Sequence, residues 1–117
     1  MVIKNKQFRR EIREKRTRAK IFGTASRPRL SVFRSLKHLF VQLIDDQKGV
    51  TLVSAKDSEL KKEKINKTDV AFKVGELLAT KAQKAGIAEI VFDKSSYLYH
   101  GRVKAIAEGA RKGGLKF

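Results

Sequence analysis

The 117 residues suffice for one domain around one modest core. They carry 28 Lys and Arg against 12 Asp and Glu, a formal net charge of +16, which argues against a small neutral substrate and for a partner rich in phosphate. The absence of cysteine excludes disulfides, thiolate catalysis and cysteine-ligated zinc, and no apolar run approaches the roughly 18 residues of a membrane span. The first residues are basic with no apolar stretch behind them, so they do not read as a secretory signal. A single proline and 41% apolar residues argue against wholesale disorder.

Residues 1–26 read as a basic N-terminal arm, flexible without RNA. Nine basic residues (Lys4, Lys6, Arg9, Arg10, Arg13, Lys15, Arg16, Arg18, Lys20) face two acids, Glu11 and Glu14, within the first twenty positions. Arg9, Arg13, Arg16 and Lys20 fall on one stripe of a helix. Phe8, Ile12 and Ala19 give only a thin apolar seam. The expectation is a segment frayed when free and helical when its stripe meets phosphates. A solubilising tail or a targeting peptide is the alternative.

Residues 27–117 read as a single α/β domain. After the breaker at 23–26 and Pro28, residues 29–35 alternate β-branched or aromatic with polar side chains, as a strand does. Residues 39–45 are apolar on both faces, as in an inner strand covered on both sides. A hairpin loop holding Leu36, Lys37 and His38 joins these two strands. Residues 50–55 make a third strand, completing an antiparallel meander. Residues 56–67 read as a polar, solvated loop. A helix capped by Asn66 or Thr68 follows, with Val70, Val74, Leu77, Leu78, Ala82 and Ala85 on the helical period and Gly86 as its stop. Residues 87–92 are a fourth strand, parallel to a strand of the meander. The last helix spans about 102–112 and Gly113-Gly114 stops it, with Leu115 and Phe117 placed to fold back on the sheet. The fold class is therefore α/β, a mixed four-stranded sheet in the order β-β-β-α-β-α behind a basic arm.

The stretch from Phe92 to Arg102, F-D-K-S-S-Y-L-Y-H-G-R, sits where a strand end opens into a helix, the usual place for ligand contacts in α/β proteins. Lys94, Tyr97, Tyr99, His100, Gly101 and Arg102 there combine cations, flat rings and a close-approach glycine. Arg27, Arg29 and Arg34 flank or lie on the first strand and Lys37 and His38 follow in the hairpin loop, a second basic group. Basic side chains meet backbone phosphates, and tyrosine or histidine stacks on unpaired bases. Tyr97 and Tyr99 alternate, so one of them faces the ligand and the other the core. Phe33 and Phe40 are assigned to the core. Asp93, beside Lys94 and not far from Arg102, is expected to form an ion pair that orients the arginine. A metal-dependent nuclease built on Asp45, Asp46 and Asp93 is the competing reading, and a DNA-compacting protein is a third. No nucleotide-cradling glycine loop follows a strand, and the two histidines lack ligand spacing.

The segments R-P-R-L-S-V-F-R-S, V-Q-L-I-D-D, T-L-V-S-A and F-D-K-S-S-Y-L-Y-H-G-R-V-K-A-I-A-E-G-A-R, in this order, resemble the bacterial large-subunit ribosomal protein eighteen family over the whole chain. The resemblance implies a ribonuclease H-like, translational-machinery-component architecture and no enzymatic activity or cofactor. It implies a cytoplasmic protein of the large ribosomal subunit that binds 5S rRNA, joins it to 23S rRNA in the central protuberance, and lies near other 5S-binding ribosomal proteins. It places the RNA contacts on the arm (Arg9, Arg10, Arg13, Arg16, Arg18, Lys20), on Arg27, Arg29, Arg34, Ser35, Lys37 and His38, and on the Tyr97–Arg102 stretch. Ser95-Ser96 depart from the two glycines common there in relatives.

Overall fold

A computed structural model describes residues 6–18, 21–35, 38–60, 66–94 and 99–117. Its elements, in chain order, are α1 (Lys6–Arg18), β1 (Arg29–Arg34), β2 (Leu39–Asp45), β3 (Val50–Lys56), α2 (Lys67–Lys84), β4 (Val91–Asp93) and α3 (Arg102–Lys112). The strands form one sheet in the order β3-β2-β1-β4. β1 is antiparallel to β2 and parallel to β4, and β2 is antiparallel to β3 with an irregularity at Leu43/Ile44. The expected mixed α/β sheet is therefore present, with β4 placed beside β1 by the α2 crossover.

The period of two along the strands sets the layers. Leu30 and Val32 of β1, Val41 and Leu43 of β2 and Val53 and Ala55 of β3 face the core with Val74, Leu78 and Ala82 of α2 and Ile106 and Ala110 of α3. Both helices therefore cover one face. The alternate residues Phe40, Gln42 and Ile44 of β2 are half-buried and Phe33 of β1 is 61% exposed. This corrects two expectations. Among the described residues both core helices pack on one side of β2, and Phe33 lies outside the core because its neighbours Leu30 and Val32 take the inward phase.

Asn66 caps α2, its Oδ1 accepting from Asp69 N at 2.8 Å. The fourth strand is shorter than its apolar run. Ile90 N donates to the Lys116 carbonyl at 3.0 Å and Lys116 N to the Ala88 carbonyl at 3.0 Å, so residues 88–90 pair with the returning C-terminal tail rather than with β1. Leu115 enters the core there. Within the polar loop, Asp57–Glu59 form a 3₁₀ turn. Glu59 accepts from Lys81 Nζ at 2.7 Å and from Lys56 N at 2.8 Å, and Lys81 chiefly holds its carboxyl below the usual range.

The two core helices meet at glycines. A Cβ on Gly109 would land on the Phe72 carbonyl oxygen, and one on Gly75 on the Ile106 carbonyl oxygen. Alanine is the better helix former by about 1 kcal/mol, yet Gly109→Ala should destabilise the domain, because forcing packed backbones apart typically costs about 1–3 kcal/mol. Urea denaturation checks this. A midpoint at or above that of the unaltered protein would show that the helices can separate freely.

Candidate nucleic-acid interface

The carboxyl ends of β1 and β4 lie side by side because the two strands are parallel neighbours. The loops leaving them, 35–38 and 94–101, carry most of the expected contacts on the body. Ser35 closes the first loop: its N–H donates to the His38 carbonyl at 2.9 Å, and its Oγ accepts from His38 N at 3.0 Å. Arg102, at the start of α3, donates from Nη2 to the Ser35 carbonyl at 3.2 Å. One guanidinium thus ties the two loops together across 67 positions of sequence. Arg102 itself is half-buried.

Around this joint, His38, Lys94, Tyr99, His100 and Gly101 are exposed and Arg34 is half-buried. Gly101 has a φ of 58°, a left-handed value that favours glycine, and precedes the first helical turn, where Ala105 N donates to its carbonyl. Tyr99 packs edge-on against Phe92 at 5.8 Å. Phe92 stacks on Phe117 at 5.7 Å, and the Arg111 guanidinium lies 4.3 Å from the Phe117 ring centre. This ladder anchors Tyr99 while leaving the side chain 42% exposed. Tyr97, Lys37, Lys20 and the Ser95-Ser96 departure lie outside the described residues, so the choice between the two tyrosines rests on Tyr99 alone.

Arg27 is exposed in a turn closed by Arg27 N to the Thr24 carbonyl at 3.2 Å. In α1, the side chains of Arg9, Arg10, Arg13, Lys15 and Arg16 are exposed, and Arg18 ends the helix. The body's bonds begin within the stretch read as arm. Gly23 N donates to Asp46 Oδ2 at 2.8 Å, and Asp46 N donates to the Gly23 carbonyl at 2.9 Å.

Arg29 requires a correction. It is only 6% exposed, and its guanidinium is enclosed by two acids rather than open to phosphate. Nε and Nη2 grip Asp46 at 3.0 and 3.1 Å, and Nη1 donates to Asp93 Oδ2 at 2.9 Å. Burial alone lowers the affinity of this guanidinium for its proton, but Asp46 and then Asp93 more than offset it, so its pKa is raised. Asp93 is therefore turned to Arg29, and Arg102 to Ser35. Asp45 is buried as a turn cap, its Oδ1 accepting from Gln47 N at 3.0 Å and Lys48 N at 3.3 Å. The three carboxylates on which a nuclease would depend thus have structural roles.

Phe33 and Lys56 were missed as surface candidates. Phe33 opposes Phe40 across the β1–β2 ladder and Phe40 opposes Lys56 across β2–β3, which places a ring, a ring and a cation in one row on the uncovered face. The usable signal was the strand phase: Phe33 is out of step with Leu30 and Val32.

Fold and surface together define a class, a small basic α/β domain presenting cations and aromatic rings from one end and one open face of a mixed sheet. The family described as ribosomal L18 of archaea, bacteria, mitochondria and chloroplasts matches residues 4–117. Among curated proteins, the large ribosomal subunit protein uL18 of Staphylococcus haemolyticus is 55% identical over 90% of this chain and 89% of its own length. The protein of the same name from Bacillus cytotoxicus is 54% identical over 97% and 96%, and that from Bacteroides fragilis is 58% identical over 87% and 89%. The chain belongs to the ribosomal L18 family.

Proposed function

We propose that this protein binds 5S rRNA and helps attach it to 23S rRNA in the central protuberance of the large subunit, beside other 5S-binding ribosomal proteins. Membership in a ribosomal protein family makes it a structural constituent of the large subunit, with ribosomal RNA and ribosomal proteins as partners. The observation that carries the finer reading is the Arg102–Ser35 bond, which joins the two basic and aromatic loops into one surface at the end of the sheet. Cations there meet phosphates, while Tyr99 and the histidines offer faces to unpaired bases, the usual chemistry of single-stranded and loop RNA recognition. No reaction is assigned, since Asp45, Asp46 and Asp93 serve turn and ion-pair roles.

The test is binding to 5S rRNA and to a duplex RNA of equal length across a salt series. A preference for 5S rRNA that persists at moderate salt is expected, because shape and exposed bases are then being read. Equal affinities that collapse together with salt would leave charge alone and remove the 5S assignment.

A further inference from the structure

A phenylalanine on an inner strand is ordinarily core, yet Phe33 is 61% exposed on β1. A single exposed apolar residue needs no explanation, but Phe33 does not stand alone. Phe40 is its cross-strand partner, and Lys56 Nζ sits 5.6 Å from the centre of the Phe40 ring. These three side chains and His38 border a shallow, open cleft of about 400 Å³, which Leu39, Asp57 and Ser58 also line. That volume falls within the roughly 300–1,000 Å³ typical of ligand clefts. The one acid among the described lining residues, Asp57, lies with Oδ2 3.6 Å from His38 Nδ1.

The occupant must bring a flat apolar face for Phe33 and negative charge for Lys56 and His38. An unpaired nucleotide brings both in one residue, whereas a protein segment would need an apolar ring beside an acid. We infer that the cleft takes one unpaired nucleobase of ribosomal RNA, stacked on Phe33, with the adjoining phosphate met by Lys56 and His38. This rests on the RNA-binding reading above and extends it from the loop of Ser35 and His38, tied by Arg102, onto the sheet face that carries Phe33, Phe40 and Lys56. Stacking tolerates any base, so the cleft contributes affinity and position rather than sequence choice.

Phe33→Leu removes the flat ring while keeping an apolar side chain at an exposed position. In the full-length protein it should weaken binding to 5S rRNA roughly 5- to 150-fold, the loss typical of one stacked base, without changing the salt slope. Phe33→Tyr should bind like the unaltered protein, and all three should melt alike. Unchanged affinity of Phe33→Leu, in a protein that binds 5S rRNA, would exclude a 5S rRNA base from the cleft and, with no nucleotide adduct on Phe33 in irradiated subunits, would overturn the inference and leave the face to a protein neighbour. A loss that Phe33→Tyr shares would also overturn it.

Short-wavelength irradiation of assembled large subunits gives a second readout that does not depend on which RNA is bound. A nucleotide adduct on Phe33, in the peptide 30–34, is expected. Adducts elsewhere on the chain with none on Phe33 would overturn the cleft. An adduct derived from 23S rather than 5S rRNA would uphold the cleft and refute 5S binding at this face. If the unaltered protein shows no preference for 5S rRNA, the 5S reading fails, and the adduct alone decides the cleft.

Discussion

Replacing Arg29 by methionine should destabilise the protein by about 3–5 kcal/mol, the range for removing one partner from a buried ion pair. The physical reason is the company Arg29 keeps. Asp93 is 1% exposed and Asp46 is nearly enclosed, so without the guanidinium two carboxylates would share a site from which water is largely excluded. A small domain has only about 5–15 kcal/mol in total, so the variant should lose much of its margin in urea. The loss should depend on pH. Burial without the guanidinium disfavours the charged carboxylates, so the variant should lose less where Asp46 and Asp93 take up protons. In the unaltered protein, protonating them removes their ion pairs with Arg29. The gap between the two proteins should therefore narrow towards about pH 4. Converting Asp46 and Asp93 to asparagine in the Arg29→Met background should recover part of the loss at neutral pH. A variant as stable as the original at neutral pH would mean that water reaches the cluster. The consequence extends to the surface, since Asp93 precedes the 94–101 loop and Asp46 holds Gly23 at the root of the arm.

The element order was legible because each element carries its own period. Alternation marked β1, an apolar run marked β2, and the spacing from Val70 to Ala82 marked α2, with Gly86 beyond its end. What escaped the sequence are relations between distant positions. Arg29 looks like any basic residue beside a proline. Its partners lie 17 and 64 positions away and become neighbours only when β2 and β4 flank β1. Ile90 looks like the middle of a strand, but its N–H is taken by Lys116, which follows α3. Phe33 reads as core by residue type, and the correction depends on how many layers cover the sheet. Strand phase turns Phe33 away from Leu30 and Val32, but that this second face is the one the described core helices leave uncovered is not recorded locally. The loop residues were found by type, yet their convergence depended on the parallel pairing of β4 with β1 and on the Arg102–Ser35 bond.

Deleting residues 1–20 should weaken RNA binding by the largest factor of any change proposed for this protein, and chiefly through its salt dependence. The cut is placed before Gly23 because Gly23 is bonded to Asp46, and a longer truncation would disturb the Arg29 cluster as well. α1 makes no extensive packing against the other described elements, so the body should keep its melting transition. The removed segment holds nine basic residues against two acids, and the side chains of Arg9, Arg13 and Arg16 are exposed along one helical stripe. Lys20 extends that stripe in sequence. If these four each displace a counterion from one phosphate, the log–log salt slope should become shallower by about 3, with a loss on the order of 10²–10³-fold near 0.1 M salt. The preference for 5S rRNA over duplex should be retained, because it belongs to the loops and the open face of the sheet. Charge and recognition would then reside in different parts of the chain. The arm would set how strongly the protein holds RNA, and the body would set which RNA it holds. Truncation that changes neither affinity nor slope would reduce the arm to a solubilising tail. Truncation that abolishes the preference while sparing the fold would place recognition in the arm itself, where a helix stripe of arginines would have to read RNA shape.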